Sequence, residues 1–98
     1  MEYRTLRNGV KIPVIGFGVF QIPAAQTKQA VLSALRAGYK LIDTARAYGN
    51  EREVGEAIRE SGIPREEIFV TTKLWLSDFS YDGAIQATQT SLERLGVD

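Results

Sequence analysis

The chain contains no cysteine and no histidine. The first absence excludes disulfides, thiolate catalysis and cysteine-ligated metals, and it fits a reducing compartment. The second excludes, within this chain, a histidine zinc site, a Ser-His-Asp triad and a histidine general acid. No metal site is therefore expected. An excess of either charge is missing too: 12 basic and 12 acidic residues balance to a formal net charge of +0, with no basic stripe and no acidic tail. Nucleic acid and anionic membrane are accordingly not expected as partners. No apolar run approaches the length of a membrane span, and Met1-Glu2-Tyr3-Arg4 contains no signal-peptide core. The expected location is cytoplasmic.

What is present suits one small domain covering residues 1–98, since 98 residues with 44% hydrophobic content can bury a single core. Tyr3 to Leu6 and Val10 to Val14 flank Asn8-Gly9, a strong β-hairpin signal because both residues tolerate positive φ. Pro13 confines the second arm to an edge or a strand end. Val14 to Gly18 reads as a short apolar strand relieved by glycine. Gly18 marks either a tight strand exit or a place where a ligand comes close.

Ala24 to Ala37 is expected to be helical, with Ala30, Val31, Ala34 and Leu35 on its apolar face and Gly38 as its stop. Lys40 to Ile42 is a second strand, with Asp43 at its end. The loop to Tyr48 leads into a helix from about Asn50 to Ser61, in which Asn50 and Glu53 have capping-box spacing and Val54, Ala57 and Ile58 face inward. Gly62 and Pro64 stop it. Ile68 to Thr72 is apolar at consecutive positions, as a strand buried on both faces would be. After Lys73, Leu74 and Trp75, Ser80 caps a third helix to about Leu95, with Ile85, Thr88, Leu92 and Leu95 expected inward and Gly96 closing it.

Strands near Val14, Leu41 and Ile68 recur every 27 residues, each followed by a helix. That alternation predicts a parallel sheet with right-handed crossovers. The same rhythm predicts a fourth strand beginning close to Val97. Gly18, Asp43 and Lys73 then fall at neighbouring strand ends on one edge of the sheet. Lys73 is placed to pair with Asp43, and Tyr48 is placed to fold back over both. In (β/α)-barrels that edge is the active face. The alternative is a buried Asp–Lys ion pair without chemistry, with Tyr48 as packing. Burial of such a pair is poor evidence of stability, which tilts the reading toward function.

These residues carry a resemblance. Gly38 to Gly55, reading GYKLIDTARAYGNEREVG, resembles the signature of the aldo-keto reductases. Asn8-Gly9-Val10-Lys11-Ile12-Pro13 with Gly16-Phe17-Gly18, and Ile63-Pro64-Arg65-Glu66-Glu67 leading into Phe69-Val70-Thr71-Thr72-Lys73-Leu74-Trp75, resemble that family's hairpin and its first and third strands. The similarity spans the whole chain and is nearest to reductases of the diketogluconate-reductase type. It implies an α/β fold: the N-terminal β-hairpin and three βα units of a (β/α)8 TIM barrel, incomplete in this chain, since the family's barrel is about three times longer.

It also implies reduction of aldehydes or ketones by hydride transfer from NADPH. Tyr48 would be the general acid, and Lys73 and Asp43 its support. A phenol is protonated at neutral pH, and a neighbouring ammonium favours loss of that proton. Positioned acid catalysis of this kind is worth about 10²–10⁴-fold. By resemblance, Gly18 and Val19 with Asp43 and Lys73 contact the cofactor, and Phe20, Tyr48 and Trp75 line the pocket of a small carbonyl substrate. Packing at the barrel mouth remains the other reading for Phe20. Val19 stands where many relatives carry a threonine. The family's catalytic histidine and its adenosine-phosphate loops have no counterpart here. A second hypothesis follows: an inactive barrel fragment that acts as a folding, assembly or interaction module and self-associates through its open sheet.

Overall fold

The computed structural model describes residues 1–97. Strands β1 (Tyr3–Thr5) and β2 (Lys11–Pro13) form the expected antiparallel hairpin, in the register Tyr3↔Pro13 to Thr5↔Lys11. Of the turn pair only Gly9 takes positive φ, at 89°. Asn8 instead accepts the Val10 N–H on its side-chain oxygen at 3.1 Å, which leaves a wider loop than a two-residue turn.

The first parallel strand is shorter than the sequence suggests. Val14 remains attached to the hairpin through its N–H to the Glu2 carbonyl at 3.0 Å, so β3 covers only Phe17–Gly18. Helix α1 (Ala24–Arg36) follows, then β4 (Leu41–Asp43), α2 (Glu51–Glu60), β5 (Phe69–Thr71) and α3 (Tyr81–Leu95). β3, β4 and β5 form one parallel sheet in that order, with Gly18 opposite Asp43 and Asp43 opposite Thr71. The βα rhythm is thus realised. The fourth strand expected near Val97 would run into Asp98, outside the described residues.

The core lies between the sheet and its helices. Val31, Leu32 and Leu35 of α1, Val54, Ala57 and Ile58 of α2, Ile42 of β4 and Leu95 of α3 pack there with Val19 and Ile68. Two inward assignments fail on α3, where Ile85 and Thr88 are exposed. The buried row of α3 is Ala87, Ser91 and Leu95, and Leu95 meets α2. Gly55 of α2 permits that approach, because a Cβ there would collide with the Leu95 carbonyl. β5 is only half-buried along its length rather than buried on both faces, because the sheet surface facing away from the helices has no layer over it among the described residues.

Side-chain alternation sets the chemistry of the strand ends. Ile42 points into the core, so Asp43 points to the opposite, uncovered face, and Thr44 returns to the helix side. The same alternation carries Thr72 toward α2 and Lys73 toward Asp43.

Candidate active site

Asp43 and Lys73 meet as the spacing predicts. The Lys73 ammonium donates to Asp43 Oδ1 at 2.8 Å and to the Thr44 carbonyl at 2.9 Å. The two side chains are 47% and 40% exposed, so this is not a buried structural ion pair. Half-exposed pairs contribute little to stability. What holds them is the backbone: the Thr44 N–H donates to Thr71 O at 2.8 Å and the Arg46 N–H to Lys73 O at 3.2 Å, continuing the ladder beyond both strands.

The loop then folds Tyr48 back. Arg46–Tyr48 forms a single 3-10 turn, and Gly49 closes it at φ 71°, a left-handed conformation natural to glycine. The Lys73 ammonium sits 5.2 Å from the centroid of the Tyr48 ring. Partial burial opposes the charge on Lys73, but the Asp43 carboxylate and then the Tyr48 phenol more than offset it. The lysine pKa is therefore raised above its ordinary value. The result is a phenol next to a firmly charged ammonium anchored by a carboxylate.

The remaining expected residues distribute unevenly. Phe20 is exposed, and its ring lies 5.1 Å from that of Tyr48, tilted by 50°. Gly18 is exposed opposite Asp43, and a Cβ on it would meet nothing within 4 Å. Val19 is fully buried in the core. Its N–H is bonded to Asp43 O, and its carbonyl accepts from Ile22 N and from the Asn50 amide. It therefore offers no surface to a ligand in this structure. Trp75 is exposed on a neighbouring cleft of about 450 Å³ that it shares with Arg46, Ala47, Ser77 and Arg94.

Sequence reasoning missed the polar layer behind the site. Asn50 does not cap α2 with its side chain, so the expected capping box with Glu53 is not formed. The Asn50 side chain is instead fully buried and bonds across the loop: it accepts from the Thr44 hydroxyl at 2.7 Å and donates to the carbonyls of Val19 at 3.1 Å and Ile22 at 3.4 Å. Glu51, also buried, accepts from the Thr72 hydroxyl at 2.6 Å and faces Arg94 at 3.5 Å. Arg46 pairs with Asp78, whose carboxylate also accepts the Trp75 N–H at 2.9 Å. The only hint in the sequence was a run of short polar residues at strand ends. Among the described residues there is no cluster of acidic side chains able to hold a metal ion, and no helix is long and apolar enough to cross a membrane.

Comparison with known proteins gives a consistent result. A family model, the Aldo/keto reductase family, matches residues 14–98. An aldo-keto reductase of Mycolicibacterium smegmatis is 56% identical over 94 residues, 96% of this chain and 34% of the relative. The chain thus spans about a third of the length of the curated relatives it matches. Among solved structures, an aldo/keto reductase from Brucella melitensis superposes with a TM-score of 0.95 at 50% identity, covering 99% of this chain and 37% of that one. A Bombyx mori aldo-keto reductase in complex with NADP superposes with a TM-score of 0.93 at 38% identity, covering 99% of this chain and 35% of that one.

Proposed function

The chain belongs to the aldo/keto reductase family, and from that premise we propose that it supplies the proton-donating part of an NADPH-dependent carbonyl reductase site, as the first three strand–helix units of a barrel. The observation that carries this reading is the convergence of Asp43, Lys73 and Tyr48 at one sheet edge, with Lys73 Nζ held by Asp43 at 2.8 Å and 5.2 Å from the centroid of the Tyr48 ring.

Tyr48 donates its phenolic proton to the carbonyl oxygen of a small aldehyde or ketone. The Lys73 ammonium stabilises the phenolate left behind, and Asp43 with the Thr44 carbonyl fixes the ammonium in place. NADPH, when bound, would supply the hydride to the carbonyl carbon, so that with the Tyr48 proton the product would be an alcohol and NADP⁺. Gly18, where the backbone is bare beside Asp43, would be the residue to take the cofactor's flat ring. Val19, fully buried behind Gly18, would support that ledge. Phe20, stacked at an angle on Tyr48, and Trp75 on the adjacent cleft serve as pocket walls.

The test uses a graft in which residues 1–98 replace the matching third of the M. smegmatis relative. NADPH oxidation is followed with aliphatic and aromatic aldehydes and ketones. Carbonyl-dependent oxidation of NADPH is the expected result. A folded graft that binds NADPH and reduces none of them contradicts the proposal.

A further inference from the structure

Two side chains that the proposed chemistry leaves unused are buried where α2 begins. Asn50 is fully buried and Glu51 is 2% exposed. Burying an amide and a carboxylate is costly unless their hydrogen bonds are made. Both are directed to the residues flanking the site. Asn50 holds Thr44, whose carbonyl is one of the two acceptors of the Lys73 ammonium. The same amide holds the Val19 and Ile22 carbonyls, the exit of β3. Glu51 holds Thr72, the residue immediately before Lys73. Its other oxygen, Oε1, has no hydrogen-bond donor among the described residues and faces Arg94. The residue just before one helix and the helix's first residue thus reach the exits of all three parallel strands. Strand alternation places these contacts on the helix side of the sheet, behind a site that opens on the other side.

We propose that Asn50 and Glu51 are positioning residues for the Asp43–Lys73–Tyr48 set, acting through the hydroxyls of Thr44 and Thr72. The inference rests on the proposed function, since it assigns a task to residues behind the acid. Tying the loop only for folding would need some contact at these strand ends. It would not need both hydroxyls next to the Asp–Lys pair to be bonded to the same helix start. Misplacement of a reacting group by about 1 Å costs on the order of 10²-fold in rate. Loosening a supporting bond should cost less.

Replacing Asn50 with leucine risks unfolding the loop, so the informative variants are Thr44→Val and Thr44→Ser, with Thr72→Val and Thr72→Ser as an independent pair. Valine keeps the shape of threonine and removes the hydroxyl; serine keeps the hydroxyl. In the graft, each valine variant should lower kcat about tenfold with KM for the carbonyl and affinity for NADPH within about twofold, and each serine variant should return kcat to within about twofold of the parent. In the 98-residue chain itself, the Lys73 titration read by NMR should move down toward the ordinary lysine range in Thr44→Val and recover in Thr44→Ser. Valine variants that only lower the melting temperature, with kcat unchanged, overturn the proposal. So do serine variants as impaired as the valine ones. Tyr48→Phe is measured alongside: if it retains full activity the acid assignment itself fails, whereas an inactive Tyr48→Phe beside unaffected valine variants sinks only the positioning role.

Discussion

At the scale of single residues, Lys73 and Asp78 respond to pH in opposite directions. Lys73 has a raised pKa in the folded chain, so its contribution to stability is complete below the ordinary lysine value and fades as pH rises through the raised one. With its side chain 47% exposed, that contribution is small. Asp78 has a lowered pKa because Arg46 and the Trp75 N–H bond its carboxylate. Its contribution is complete above the ordinary carboxylate value and fades as pH falls through the lowered one. The 3-10 turn Leu76–Asp78, which carries Trp75 at its start, should therefore loosen in acid. In the graft, Asp78→Asn should reduce melting temperature near neutral pH, and the variant and parent curves should converge only as pH falls below the ordinary carboxylate range and through the lowered value. Curves separated by the same amount at all pH values contradict this. The meeting of Asp43 and Lys73 was legible in the sequence because strand-end positions follow from βα spacing, and Tyr48 a few residues on could be expected to fold back over them. The partners of Asn50 were not legible. An asparagine before a helix reads as a cap, and nothing in the spacing reveals that its side chain turns back into the strand ends instead.

At the scale of elements, the α2–α3 crossing depends on an absent side chain. Gly55 lies against the Leu95 carbonyl, and Arg59 donates to the same oxygen at 2.9 Å. Gly55→Ala must push the helices apart despite alanine's better helix propensity. A loss of about 2 kcal/mol in urea unfolding of the graft is expected from overpacking, and an unchanged or raised stability would refute the close approach. This crossing also bears on the misread helix face. Apolar periodicity points to Ile85, but the buried row is Ala87, Ser91 and Leu95, and periodicity does not encode distance. The β-strands were placed by composition and shortened by context: Val14 has the residue type of a parallel strand and the hydrogen bond of a hairpin.

At the scale of the whole molecule, the sheet determines behaviour. β3 and β5 each have one unpaired edge among the described residues, and Val14, Ile15, Phe20, Leu76, Phe79 and Ile85 are exposed. Open edges and uncovered apolar surface favour association. The 98-residue chain should therefore elute as dimers or larger species in size-exclusion chromatography; a monodisperse monomer with a cooperative melt would contradict this. On the proposed reading, in which Gly18 and the Asp43–Lys73 pair would form one side of a cofactor site, it should also fail to bind NADPH saturably at micromolar concentration when Trp75 fluorescence is monitored. The central claim is that this chain contributes the proton donor. The most direct measurement is the kcat of carbonyl reduction by the Tyr48→Phe graft, with NADPH affinity determined on the same preparation. The account predicts a loss of at least about 10²-fold in kcat with cofactor affinity nearly unchanged. A Tyr48→Phe graft that reduces the carbonyl as fast as its parent would contradict it.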